Sequence, residues 1–174
     1  MRTTAHLGRL GKFPLRVIAI DPGVTGALAV VRYEDGCLFT ETVHDLPTWS
    51  EKTASGKNRR YVDPVALHKL LKQIGDVDSV VVERLTAPPG IASTVAFSLG
   101  ATAATIGSVL RLLGKQPKLV SPVTWKRAIE APAEKEAARK HACRLFENDE
   151  HWPKKKDHNR AEAALIGAWY CLSH

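Results

Sequence analysis

The chain is poor in sulfur and in aromatic side chains: three Cys, one Met and 6% Phe, Trp and Tyr in 174 residues. Cys37, Cys143 and Cys171 are widely separated, form no CxxC pair and have no His at zinc-finger spacing. That excludes a disulfide framework and a zinc-finger module, and reduced thiols in an intracellular protein are expected. The first 16 residues contain Arg2, Arg9, Lys12 and Arg16 but no acid, and they lack the apolar run of a secretory signal. Residues 1–15 are expected to be a basic flexible arm ahead of a single domain, 16–174. Residues 85–110 carry no charge, yet Pro88-Pro89 and many Ser, Thr, Gly and Ala residues dilute their hydrophobicity. A helix packed inside the domain is expected there, and no membrane partner. There is no internal repeat and no linker.

What is present is a globular composition, 44% hydrophobic and 25% charged, with 25 Lys+Arg against 18 Asp+Glu and a net charge of +7. A pI near 9.5 favours a polyanionic partner, nucleic acid first. Residues 16–20 (RVIAI), 26–33 (GALAVVRY) and 37–44 read as three strands, with a hairpin turn at Glu34-Asp35-Gly36. Residues 46–61 are polar and read as a loop. Asp63-Pro64 opens a helix whose apolar face is Val65, Leu67, Leu70, Leu71 and Ile74. Residues 79–82 read as a buried strand. Residues 91–113 read as a long helix with Val95, Leu99, Thr102, Ile106, Val109 and Leu113 along one face. A short strand at 118–120, helices at 122–129 and 134–146, a charged loop at 147–156 and a last helix at 159–172 complete the chain. This order predicts an α/β fold: a mixed five-stranded sheet, its first three strands antiparallel, flanked by helices.

Asp21 and Glu83 end the two most hydrophobic strands. One acid at a strand end is ordinary, but two converge if the strands are neighbours. A third acidic element is Asp157-His158-Asn159-Arg160-Ala161-Glu162, leading into an apolar helix. Asp157 reads equally as an N-cap there, and Glu162 as a first-turn acid that complements the helix dipole. Hard divalent cations take oxygen ligands, and four carboxylates can hold two Mg²⁺ ions about 4 Å apart for phosphodiester hydrolysis. A basic protein with a compact acidic cluster makes physical sense as a metal-dependent nuclease.

Residues 20–26 (IDPGVTG) resemble the first motif of RuvC-type Holliday-junction resolvases, which have a ribonuclease H-like fold. Residues 80–83 (VVVE) resemble their second motif, and residues 119–126 (LVSPVTWK) the strand-to-helix segment beyond it. Residues 157–166 resemble the C-terminal motif of the branch found in phages, some bacteria and chloroplasts, where the last two acids are five apart. The similarity spans residues 16–172. It implies that Asp21, Glu83, Asp157 and Glu162 are catalytic metal ligands for two Mg²⁺, with Mn²⁺ as an alternative. It implies a homodimer that resolves four-way DNA junctions by paired symmetric nicks, in the cytoplasm or nucleoid of a bacterium or phage-infected cell, or in an organelle. The best-known bacterial resolvases place the last two acids three apart, and here position 159 is Asn. The ligand assigned is therefore Asp157, with His158 read either as a supporting group at the scissile phosphate or water or as a helix-start residue only.

Residues 115–160 hold twelve Lys/Arg against seven Asp/Glu. Lys154, Lys155 and Lys156, which abut Asp157, are expected to contact phosphate rather than serve only as a solvated run. Lys115, Lys118, Lys126, Arg127 and Arg160 are further phosphate candidates, Arg160 having a local ion pair as its alternative. Arg84, Gly90 and Ser93 lie in or just after the shaped loop that follows Glu83 and are expected to reach the DNA. Trp152, in a charged loop, is a candidate for base stacking, whereas Trp125 reads as core. The competing functions are a ribonuclease H-like nuclease on other branched or RNA-containing substrates, a catalytically silent nucleic-acid-binding module, and an ATP-binding phosphotransferase of the actin/hexokinase type. The last would share an Asp-x-Gly-x-Thr loop but needs a second lobe.

Overall fold

A computed structural model describes residues 14–53, 56–148 and 150–174. The basic arm expected at 1–15 lies almost wholly outside the described residues. Three strands open the fold: β1 (Leu15–Asp21), β2 (Ala27–Glu34) and β3 (Cys37–Asp45). A separate two-stranded ribbon follows, β4 (Thr48–Lys52) and β5 (Asn58–Val62). Then come α1 (Pro64–Ile74), β6 (Ser79–Glu83), α2 (Ser93–Leu112), β7 (Lys118–Val120), α3 (Pro122–Ala128), α4 (Lys135–Phe146) and α5 (His158–Ser173), the last preceded by a 3-10 turn at Lys155–Asp157. The main sheet has five strands in the order β3-β2-β1-β6-β7. β1, β2 and β3 pair antiparallel, while β6 and β7 continue it in parallel from β1. The expected mixed sheet with an antiparallel start is what forms.

Strand alternation sorts the core into two layers. Ile18, Ile20, Val80 and Val82 face α1 and α2, packing with Leu67, Leu71, Ile106 and Leu110. Val17, Ala19, Val81 and Val120 face the other way, with Trp125, Ala138, Ala142 and the apolar stripe of α5. α5 lies close on the sheet because of Gly167, where a Cβ would stand 2.6 Å from a Val31 methyl.

Four expectations need correction. Residues 46–61 are not a loop: most of them form the β4–β5 ribbon, registered from Thr48↔Val62 to Lys52↔Asn58. α2 is only half packed. Thr102, Ile106, Val109 and Leu110 are buried, but Val95 and Phe97 at its start are 46% and 62% exposed. α2 is also long and apolar enough to cross a membrane by length and composition. Trp152 is 1% exposed, its ring edge-on to Phe146 at 5.7 Å, so it is a core residue and not a base-stacking platform. Finally, α2 leads by a parallel crossover into β7, whose Lys118 stands opposite Val81, two residues before Glu83. The Lys118 side chain turns away from Glu83: its ammonium lies against the Tyr170 hydroxyl and ring, and that hydroxyl also meets Ser79 at the start of β6, so Lys118 is not a free phosphate contact.

Candidate active site

β1 and β6 are parallel neighbours with Ile20 opposite Val82, so the next residues, Asp21 and Glu83, end side by side. Counting by twos from Ala19 and Val81 puts both carboxylates on the face covered by α5. The turn after Asp21 is forced by Gly26, whose N–H donates to the Gly23 carbonyl at 3.0 Å. A Cβ at Gly26 would overlap the Asp21 carbonyl oxygen. α5 brings Glu162 across this end of the sheet, and Asn159, one turn earlier, donates its side-chain N–H to the Thr25 carbonyl. The turn that carries Asp21 is thus tied to the helix that carries Glu162.

Burial, then the Glu162 and Glu83 carboxylates, push the Asp21 carboxyl up from 3.8 to about 8, against the pull of the Lys126 and Lys135 ammonium groups. Burial also raises Glu83, opposed by a hydrogen bond from Trp125 and assisted by Glu162. That bond runs from Trp125 Nε1 to Glu83 Oε2 at 2.7 Å. Lys126, the next residue on α3, holds Glu162 Oε1 at 2.6 Å and lies 5.1 Å from the Trp125 ring centre. Trp125 and Lys126 therefore clamp Glu83 and Glu162, and the ammonium supplies the positive charge that three crowded carboxylates require.

Asp21, Glu83 and Glu162 are brought together in this way, and Asp157 is not. Asp157 Oδ2 accepts the Lys154 backbone N–H at 3.0 Å, and the side-chain charge it meets is Arg160. His158 Nε2 meets Lys135 Nζ at 3.1 Å instead of a carboxylate. Arg160 grips both oxygens of Asp45 at 2.7 and 2.6 Å, holding that carboxyl below its usual range. Lys126 sits inside the acidic group rather than on a phosphate-facing surface. Arg84, Gly90, Ser93, Arg127, Lys154, Lys155 and Lys156 are exposed, Arg84 directly after Glu83 and Lys156 in the cleft that reaches Thr25 and Gly26.

Sequence reasoning missed the Trp125–Glu83 bond, the Lys126–Glu162 pair and the place of Lys135. The available signal was position: Trp125 and Lys126 follow directly on a strand that pairs with Glu83. Among the described residues, no three His, Cys, Asp or Glu side chains are gathered closely enough to hold a metal ion as they stand. The donors are nonetheless hard oxygens, and the proton that burial holds on Asp21 marks a place short of positive charge. They fit a divalent cation that draws Glu83 and Glu162 off their present partners.

Against solved structures, the chain matches Thermus thermophilus RuvC in complex with a Holliday junction substrate, at 15% identity and a TM-score of 0.63, covering 91% of this chain and 96% of that one. This chain has the RuvC-type, ribonuclease H-like fold. The yeast mitochondrial Holliday junction resolvase shares it at 20% identity and a TM-score of 0.57, covering 90% and 78%. So does the fowlpox virus Holliday junction resolvase, at 15% identity and a TM-score of 0.53, covering 92% and 100%. No family model and no curated protein sequence matches the chain. Within the RuvC-type fold, the acidic group stands where β1, β6 and α5 meet.

Proposed function

We propose that the chain is a divalent-metal-dependent crossover junction endodeoxyribonuclease that resolves four-way DNA junctions. The observation that carries this reading is the convergence of Asp21, Glu83 and Glu162 at one end of a sheet whose fold is shared with three Holliday junction resolvases. These three carboxylates are the proposed ligands of Mg²⁺. Asp157 joins them only by releasing the Lys154 N–H. Bound Mg²⁺ would supply Lewis-acid charge at the scissile phosphate and a water acidic enough to attack it. Lys135, Lys155 and Lys156, grouped around His158, hold the flanking phosphates. Arg160, spent on Asp45, shapes the wall beside them.

Paired nicks require two sites facing two strands. The exposed apolar start of α2, with Val95 and Phe97, supports a homodimer as the means of presenting them. The test is cleavage of an immobile four-way DNA junction with and without Mg²⁺, beside linear duplex, a flap and an RNA–DNA hybrid. Symmetric paired nicks on the junction, lost in Glu162→Gln, are expected. Cutting of the hybrid or flap instead would keep the metal chemistry and discard the junction.

A further inference from the structure

The β4–β5 ribbon is rooted on the turn that carries Asp21. The Leu46 N–H donates to the Gly26 carbonyl at 2.9 Å, and the Asp63 N–H donates to the Pro47 carbonyl at 2.8 Å. Leu46 and Val62 bury their side chains at that root. Trp49 stacks on Tyr61 across the ribbon with centroids 5.2 Å apart, which stiffens it. Beyond the root its side chains are basic: Lys52, Lys57, Arg59 and Arg60 against a single acid, Glu51.

Two open clefts meet along this ribbon, sharing Val24 and Arg60. One, of about 710 Å³, is lined by Lys57, Arg59, Arg60 and Ser98 at the start of α2. The other, of about 670 Å³, is lined by Thr25 and Gly26 together with Arg60, Lys135, Lys156 and His158. Arg60 thus lines both the ribbon's own cleft and the one that reaches the turn after Asp21. Elsewhere arginines have acids: Arg16 has Glu41, Arg139 has Glu136 and Arg160 has Asp45. Lys57 and Arg60 make no ion pair among the described residues, so their charge is available to an external anion. Two unneutralised cations along open clefts that reach the turn after Asp21 offer positive charge to a nucleic-acid backbone.

We propose that the β4–β5 ribbon is a second DNA contact, in which Lys57 and Arg60 grip the sugar-phosphate backbone of a junction arm as it leaves the acidic site. This inference rests on the nuclease reading and assigns that site's substrate a second point of attachment. Phosphate contacts of this kind fix the position of the arm and read no bases.

The test is binding of a labelled four-way junction to the full chain, across a salt series, in the non-cleaving Glu83→Gln background. The Lys57→Ala/Arg60→Ala double variant is compared with Lys72→Ala, which removes a cation from α1 at the other end of the sheet. Each lost contact removes about 0.9 from the slope of log K against log salt, so the double variant is expected to lose about 1 to 2 of slope. Its affinity at low salt should fall at least about tenfold, with an unchanged melting temperature, while Lys72→Ala binds like the parent. Equal slope and affinity in the double variant, with a parent that binds the junction, would overturn the ribbon contact and leave the nuclease reading standing. A parent that neither binds nor, with Glu83 restored, cuts the junction would overturn the reading itself and the ribbon contact with it.

Discussion

Replacing Asp21 by Asn should stabilise the metal-free protein, and the gain should grow with pH. The carboxyl is raised from 3.8 to about 8 by burial and by Glu162 and Glu83. The folded state therefore prefers the protonated form. Below 3.8 both folded and unfolded chains carry the proton, and the group contributes nothing. Between 3.8 and about 8 the unfolded chain has released it while the folded chain retains it, so each pH unit subtracts stability. At about 1.4 kcal/mol per unit, the 3.2 units from 3.8 to neutrality set a ceiling of about 4 kcal/mol. The side chain keeps a partly open rim, and Lys126 can swing toward it, so a realised gain of about 1 to 3 kcal/mol is expected. Asn matches the neutral acid in shape and never charges. For a chain of this length the gain corresponds to about 2 to 12 °C in melting temperature. The assay is thermal denaturation in EDTA from about pH 5 to about pH 8, followed by addition of Mg²⁺. Metal should raise the wild type and leave the variant nearly unmoved, which narrows the gap. A variant no more stable than wild type at neutral pH in EDTA, or an advantage that does not grow with pH, would refute the argument that Asp21 is buried among like charges.

Lys126→Met removes the ammonium that holds Glu162 Oε1 at 2.6 Å. The metal-free protein should melt lower while Mg²⁺ or Mn²⁺ binds several-fold tighter by titration calorimetry, because the cation no longer competes for that carboxylate. Trp125→Phe keeps an aromatic ring in the core but leaves Glu83 Oε2 without its donor. Urea denaturation should show a loss of about 1 to 3 kcal/mol, and junction cleavage should fall more than junction binding. Gly26→Ala should cost at least about 2 kcal/mol in the same assay and abolish cutting, since the methyl overlaps the Asp21 carbonyl oxygen and must displace the turn.

Much of the fold was legible because its strands are runs of apolar, often β-branched residues bounded by turn chemistry. The spans of β1, β2, β3, β6 and β7 follow from that pattern to within a residue or so at each end. The β4–β5 ribbon escaped because its sequences, TWSEK and NRRYV, bury little beyond Val62 and so show no alternation. Trp152 escaped because its burial is tertiary. Phe146 packs on its ring and Arg139 donates to its carbonyl at 2.9 Å, neither of which the charged neighbourhood announces. The contact that takes up Lys118 is tertiary as well: its ammonium lies on Tyr170, 52 residues away, which the local sequence does not announce. Asp157 and Glu162 are distinguishable only in three dimensions: both are acids near a helix start, and it is the crossing of α5 over β1 that faces Glu162 toward Asp21 and leaves Asp157 capping its own turn.

The acidic group also explains how a protein of net charge +7 can concentrate carboxylates at one point. Adjacent parallel strands in register place Asp21 beside Glu83 at interstrand spacing, about 4.8 Å between backbones, whatever the side chains prefer. The cost falls on Asp21, which the surrounding apolar layers force toward its neutral form. Lys126 relieves part of that cost through Glu162, and the Trp125 N–H relieves part through Glu83. Neither reaches Asp21 by a hydrogen bond. The residue left least satisfied is therefore the one at the centre of the group, where a divalent cation would gain most by binding. A site built for structure alone would neutralise that carboxylate with a direct partner. This one leaves it without a direct partner, while Trp125 and Lys126 hold Glu83 and Glu162 in place beside it.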